Sequence, residues 1–272
     1  MIAAIILVLV VVGSVLFHLL SPWWWTPIAS NWQYIDDTIN LTFVITGVVF
    51  AAVILFVAYC LYAFHHVEGR KAAYEPENTK LELWLTIGTG VGVAALLIPG
   101  LFVWRQFITV PHGADEIEVV GLQWRWMYRL PGKDGKLGTS DARHVSDENP
   151  MGINPDDPDG KDDIVVDGDD LHLPLDRPVK FRLRSIDVIH NFYVPEFRAK
   201  MDFMPGVVTY VWLKPTRTGT FDALCAELCG TGHYAMRGKV VVDGADDYEK
   251  WRVGLPTFAQ TISQERSFSQ AR

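Results

Sequence analysis

The sequence predicts a membrane-anchored all-β protein: two or three N-terminal transmembrane helices, then an exterior domain folded as a Greek-key β-barrel or sandwich. Three observations carry that expectation. The first hundred or so residues contain three long runs without Asp, Glu, Lys or Arg. The remainder shows short stretches of strand composition, some strictly alternating apolar with charged residues. Turn dipeptides such as Pro131-Gly132, Asp167-Gly168, Pro205-Gly206 and Asp243-Gly244 separate those stretches.

The runs come first. The opening segment, residues 1–20, is free of charged side chains from Ile2 to Leu20. The second, residues 38–64, is uncharged throughout. The third, residues 81–104, is uncharged from Leu83 to Trp104 and carries Gly88, Gly90, Gly92 and Pro99, which membrane helices tolerate. Each reaches the roughly 18 apolar residues that cross about 30 Å of hydrocarbon as helix. The opening segment admits two readings, a retained helix or a cleaved signal peptide. It lacks a positive leading region and a small-x-small cleavage site, and its apolar core is long. Loop 64–80 carries His65, His66, Arg70, Lys71 and Lys80, whereas loop 21–37 has no Lys or Arg. The positive-inside rule therefore puts 64–80 in the cytoplasm and residues 105–272 outside, which in a bacterium is the periplasm. Trp23, Trp24, Trp25, Trp32 and Tyr34 suit an aromatic belt at the outer interface.

The exterior domain is expected over residues 113–254. Val179 to Arg184 alternates apolar and charged residues, the mark of a half-buried strand. Glu116–Val120, Gln123–Tyr128, Val207–Leu213 and Lys239–Val242 have strand composition. Asp246–Val253 suits a short helix, and residues 255–272 read as a loose C-terminal tail. Residues 132–163 form a long insertion rich in Asp, Gly, Pro and Asn, read as a solvated loop or a partner-docking segment. Residues 131–170 hold twelve acids against four bases, which accounts for the whole net charge of −8. That local acidity suits a basic protein partner and argues against nucleic acid.

Metal-binding chemistry is concentrated between Cys225 and Met236. Cys225, Glu227, Cys229, His233 and Met236 fall within twelve residues, while the third cysteine, Cys60, lies in an apolar run. Thiolate, thioether and imidazole ligands suit copper in its lower oxidation states. A disulfide between Cys225 and Cys229 is compatible with an oxidising periplasm but leaves Glu227, His233 and Met236 unexplained. Zinc could take two Cys and two His and has little use for Met236. A single blue-copper centre needs one Cys, two His and a weak Met, one thiol fewer than stands here. Two thiolates can also bridge two ions, each closed by an imidazole, which requires a second histidine. His112 lies beside the third run, and His144 and His172 lie in or near the acidic segment. His190, in Asp187-Val-Ile-His190-Asn-Phe192, follows a clear strand and is the best placed.

These residues resemble subunit II of cytochrome c oxidase, the binuclear-copper family of the haem–copper oxidases. The pattern Cys-x-Glu-x-Cys-Gly-x-x-His-x-x-Met, preceded by Asp-Val-x-His, stands intact here, and the similarity covers roughly residues 22–250. The resemblance implies a cupredoxin-like exterior domain in the bacterial inner (plasma) membrane, facing the periplasm. It implies a binuclear copper centre bridged by Cys225 and Cys229, with His190 and His233 each on one copper. Met236 would be a distant axial ligand of one copper and the Glu227 carbonyl that of the other. The Glu227 side chain would face a magnesium or manganese site shared with subunit I. Gln123-Trp124-Arg-Trp126-Met-Tyr128 resembles the family's Gln-Trp-x-Trp-x-Tyr element, which makes Trp124 the point where electrons arrive. Packing of one sheet face is the other reading of these alternating aromatics, and the two are compatible. Glu82 resembles the glutamate that opens a proton path at the foot of the third helix, although Trp84 is displaced by one position and no proline follows it.

The implied function is acceptance of electrons from cytochrome c and their transfer to haem in subunit I, with oxygen reduced to water and protons pumped. The implied partners are subunit I and other oxidase subunits, cytochrome c and membrane lipid. The activity would belong to the complex, with this chain carrying electrons only. Acidic residues such as Asp187, Glu196 and Glu227 would meet a basic cytochrome c. No Cys-x-x-Cys-His occurs in the sequence. The alternatives are the equivalent subunit of a copper-containing nitric oxide reductase and a membrane-tethered copper protein outside any oxidase.

Overall fold

In the computed structural model, described for residues 1–21, 26–71, 74, 76–168 and 170–263, the chain divides into two compact units. One comprises Met1–Thr26 and Tyr34–Arg105, the other Pro27–Gln33 and Gln106–Arg272. Three helices build most of the first unit: α1 (Ile2–Leu20), α2 (Gln33–Ala63) and α3 (Thr79–Ile108). All three are long and apolar enough to cross a membrane, with mean hydropathies of 2.9, 2.8 and 1.9. At most 11% of such a stretch is buried against protein, so their apolar side chains face outward as they would toward lipid. The threonine hydroxyls within α2 are satisfied internally. Thr38, Thr42 and Thr46 donate their hydroxyls to the carbonyls four residues back, at 2.7, 2.9 and 2.7 Å. Asn78 caps α3 by accepting from the Leu81 N–H at 3.1 Å, and Glu82 falls in the first turn that follows.

The second unit is a sandwich of two five-stranded sheets. One sheet has the order β3 (Ile164–Asp167), β2 (Arg125–Leu130), β1 (Asp115–Leu122), β5 (Val179–Ser185), β8 (Thr209–Leu213). The other has the order β4 (Leu171–Pro174), β10 (Arg237–Asp243), β9 (Gly219–Cys225), β6 (His190–Val194), β7 (Ala199–Phe203). The pairs β1·β5 and β4·β10 are parallel and the rest antiparallel, because the chain repeatedly leaves one sheet for the other. The helix α4, Ala245–Gly254, appears where the sequence placed one. For β5 the predicted alternation is realised, with Val179, Phe181, Leu183 and Ser185 buried. These side chains meet an aromatic core in which Trp126 packs on Phe192 at 5.4 Å and on Phe203 at 5.2 Å between ring centres.

The stretch read as a single strand, Gln123–Tyr128, is broken at its start: Gln123 and Trp124 form the β1–β2 turn, and the strand opens at Arg125. This frees both side chains to reach across to the other sheet.

The acidic insertion is more than a solvated loop, because part of it is buried. Strand β1 is buried on both faces because one faces the opposite sheet and the insertion covers the other. Met151 and Ile153 from the insertion pack with Val120, Met127 and Phe258. Beside this cluster runs a buried charge network. Arg129 bonds Asp163, and bonds Glu118 at 3.2 Å, while Arg184 Nε donates to Glu118 at 3.1 Å and its Nη2 to the Met151 carbonyl at 2.7 Å. Burial pushes the Asp163 carboxyl up to about 6, against the pull of Arg129. Residues 255–263, the described part of the tail, are also tied down. Thr257 bridges to Ile164, the Phe258 N–H donates to the Asp163 carbonyl at 2.7 Å, and residues 258–263 are helical.

Trp32 belongs to no interfacial belt. It is buried in the second unit between Phe107 and Trp212, with its indole N–H on the Trp212 carbonyl at 3.0 Å. Residues 29–31 run beside 214–216 through hydrogen bonds from Asn31 N to Lys214 O and from Thr216 N to Ala29 O. Trp212 Nε1 in turn donates to Gln106 O and Tyr210 to Ile108 O, so β8 grips both segments that lead to the helices. Trp23, Trp24 and Trp25, expected in the belt, lie outside the described residues.

Candidate metal centre

Four segments converge at one end of the sandwich. The β1–β2 turn brings Gln123 and Trp124, the β5–β6 loop brings Asp187, the start of β6 brings His190, and the loop from Cys225 to Met236 closes the site. That loop is held where it leaves β9 and where it rejoins β10. The Cys225 N–H donates to the Met236 carbonyl at 3.2 Å, and Ala226 N donates to the Asn191 carbonyl at 3.0 Å. A 3₁₀ turn, His233–Ala235, points the loop back.

The donor atoms lie close together. Cys225 Sγ and Cys229 Sγ are 3.7 Å apart, far beyond a bonded pair, and both thiols are free. His190 Nδ1 lies 4.0 Å from Cys225 Sγ, and His233 Nδ1 lies 3.6 Å from Cys229 Sγ. Met236 Sδ is 3.7 Å from Cys229 Sγ, and the Glu227 carbonyl oxygen is 3.1 Å from Cys225 Sγ. The ligating atoms of His190, Cys225 and Cys229 all lie within 4.8 Å of one another. His190, Cys225, Cys229 and Met236 are buried, whereas the Glu227 residue is exposed. Each thiol thus has its own imidazole and its own weaker neighbour. This donor set fits two soft ions sharing two thiolates, and it brings together all six residues that the sequence singled out.

Asp187 organises one side. Its Oδ1 accepts from His190 Nε2 at 2.8 Å, and its carboxylate also takes the N–H groups of Gln123 and Val188 at 2.7 and 2.6 Å. Burial resists ionisation of this carboxyl, but the His190 bond and the two backbone donors outweigh it and hold the pKa below the usual range. With Nε2 engaged as donor, Nδ1 is the nitrogen left to face the sulfurs. Asp187 remains exposed, so the bond to His190 leaves its outer edge at the surface. Glu196 lies beyond the far end of β6 from His190, with its carbonyl on Ala29 N, so these two acids do not share a surface. On the thiol side, burial together with the hydrogen bond and charge of Cys225 pushes Cys229 up to about 12. Ligation must therefore displace protons from the pair.

Trp124 is 40% exposed and Trp126 only 3%, so one indole faces solvent and the other the core. The exposed one reaches the site directly: Trp124 Nε1 donates to the Cys229 carbonyl at 3.2 Å. Gln123 Nε2 donates to the same oxygen at 2.8 Å. Sequence reasoning passed over Gln123 because it sits at the head of an aromatic run and reads as a strand residue; its place directly before the tryptophan was the available signal.

A family model described as cytochrome c oxidase subunit II, periplasmic domain, matches residues 116–244. The chain is 67% identical over 259 residues to the alternative cytochrome c oxidase subunit 2 of Bradyrhizobium diazoefficiens, covering 95% of this chain and 94% of the relative. It is 26% identical to cytochrome c oxidase subunit 2 of Cereibacter sphaeroides over 83% of this chain and 76% of that one. Among solved structures, the periplasmic domain of subunit II of cytochrome oxidase from Bradyrhizobium japonicum matches at 26% identity and a TM-score of 0.40, over 54% of this chain and 96% of that one.

Proposed function

This chain belongs to the cytochrome c oxidase subunit II family, and on that premise we propose that it is the electron-accepting subunit of a haem–copper terminal oxidase. In this reading it takes electrons from cytochrome c at a binuclear copper centre and hands them to haem in subunit I, where oxygen is reduced to water and protons are pumped. The observation that carries the reading is the pair of free thiols 3.7 Å apart, each beside a separate imidazole nitrogen.

Cys225 and Cys229 would bridge both coppers, and His190 and His233 would each terminate one. Two coppers sharing two thiolates supply a redox centre whose unpaired electron is spread over both, which keeps rearrangement on electron transfer small. The chain's own residues do the rest. Asp187 fixes the His190 ring and leaves Nδ1 for the ligand role. Met236 Sδ, beside Cys229, and the Glu227 carbonyl oxygen, beside Cys225, would supply weaker donors that tune the potential. The pocket buries the sulfurs from water, while Trp124 offers a half-exposed indole bonded to the Cys229 carbonyl. That bond supports Trp124 as the receiving group for cytochrome c. The exposed Glu227 carboxylate is free for a magnesium or manganese ion completed by subunit I. The three apolar helices support a multi-pass position in a bacterial inner membrane with the copper domain in the periplasm.

The test is copper content with electron paramagnetic resonance on the full chain in detergent. Two coppers per chain with one spin shared equally by both nuclei is expected. A single copper, or a spin localised on one nucleus, overturns the reading.

A further inference from the structure

We infer that Gln123 is a positioning residue that couples the two halves of the metal centre, an inference that rests on the copper reading above. The two halves reach the site from separate parts of the chain: His190 opens β6, and Cys229 sits in the loop between β9 and β10. Gln123 comes from the opposite sheet, at the β1–β2 turn, and touches both. Its backbone N–H donates to Asp187 Oδ2 at 2.7 Å, and the other oxygen of that carboxylate takes His190 Nε2 at 2.8 Å. Its side-chain Nε2 donates to the Cys229 carbonyl at 2.8 Å, an oxygen it shares with Trp124 Nε1. One residue therefore fixes the orientation of a terminal imidazole through its main chain and polarises the peptide of a thiolate ligand through its side chain.

The backbone around it is shaped for this contact. Gly230 has φ +119°, a conformation that side-chain-bearing residues rarely adopt, and a Cβ there would lie 2.8 Å from Gln123 Nε2 and 3.4 Å from Trp124 Nε1. The glycine after Cys229 thus lets both donors approach the Cys229 carbonyl. The main-chain bond does not use the side chain, so any residue but proline keeps the donor and the side-chain bond can be removed alone. Losing the amide donor leaves the Cys229 peptide, and through it the thiolate, richer in electron density. That favours the oxidised metal. Only the part of the bond's strength that differs between the two redox states moves the equilibrium, which caps the shift at roughly tenfold for an ordinary hydrogen bond.

The experiment compares the wild-type chain with Gln123→Leu and Gln123→Glu, each full length in detergent and loaded with copper. The readouts are copper per chain, the paramagnetic resonance spectrum and the equilibrium with a one-electron mediator. The wild-type chain is expected to hold two coppers with shared spin. Gln123→Leu should keep both coppers and shift the mediator equilibrium measurably toward oxidised protein, by up to about tenfold. Gln123→Glu should shift it at least as far, because a carboxylate opposes the carbonyl that the amide donates to. A role limited to packing would not produce this ordering. Two shared coppers and a wild-type mediator equilibrium in Gln123→Leu overturn this inference alone. If Gln123→Leu fails to fold, the same equilibrium in Gln123→Glu as in wild type overturns it. One copper in the wild-type chain overturns the copper reading and this inference with it.

Discussion

The indole of Trp124 lies directly against the backbone of Gly232: a Cβ at position 232 would stand 2.3 Å from Trp124 Cδ2. No heavy atoms approach that closely, so the ring and an added methyl cannot share the space. Gly232→Ala is expected to push the indole off its perch and weaken its bond to the Cys229 carbonyl. Cytochrome c oxidation by the assembled oxidase should then fall by about tenfold or more, with Trp124→Ala showing the same loss, while the metal spectrum of both variants stays close to wild type. Stopped-flow reduction by cytochrome c checks this, and an unchanged rate in Trp124→Ala would remove the indole from the electron route.

Asp187→Ala should release the His190 ring from the carboxylate that now holds Nε2. Loss of such a supporting carboxylate costs about 10- to 100-fold in metal affinity. Competition with a copper chelator measures it. Wild-type affinity in the variant would mean that the ring is held by its burial alone.

The two sulfur types predict different outcomes. Cys225→Ser or Cys229→Ser should abolish the shared-spin signal, because either thiolate bridges both ions in the proposed centre. Met236→Leu should keep both coppers and change the reduction potential, since its sulfur stands as a weak donor beside Cys229. Redox titration with copper analysis separates the cases.

Arg129→Leu removes the cation that faces Asp163 and Glu118 in the interior. Breaking one partner of a buried ion pair costs about 3–5 kcal/mol. Urea unfolding of the variant should show a loss of that order, with the insertion becoming sensitive to protease at the same time. Protease resistance with unchanged stability would mean that the apolar contacts of Met151 and Ile153 suffice.

Asp157 gives the insertion a pH response. Thr139 donates its N–H and its hydroxyl to Asp157 Oδ2 at 2.7 and 2.6 Å, and these bonds lower the carboxyl below its ordinary value of 3.8. A carboxyl depressed by folding stabilises the fold above the unfolded pKa and loses that contribution as pH falls through the folded one. Protection of the Thr139 amide from hydrogen exchange, taken relative to its intrinsic rate at each pH, should therefore fall below about pH 4, and Asp157→Asn should flatten that response.

What the sequence made legible follows the periodicity of its burial. Val179–Ser185 alternates because one of its faces is more open, and it was readable as a strand. Strand β1 was harder to bound, since the insertion buries its second face and removes the contrast. Met151, Ile153 and Phe258 are isolated apolar residues in polar surroundings, so no local pattern announced that they share a cluster. Arg129 meets Asp163 across 34 residues, a pairing that no spacing rule reports. The metal site was the most legible part because ligand chemistry limits which residue types can serve, and five of its donor residues lie in one short loop. Its supports were the least legible. Asp187 read as a surface acid and Gln123 as a strand residue, because their roles depend on a turn that brings two sheets to one point.

Glu227 turns its main-chain oxygen inward to Cys225 and leaves its side chain outside. Every amino acid carries that inward oxygen, so the pocket is indifferent to the side chain at position 227. Selection on the outer carboxylate can therefore proceed without disturbing the sulfur chemistry beneath it, and the two faces of a single peptide unit are free to evolve apart.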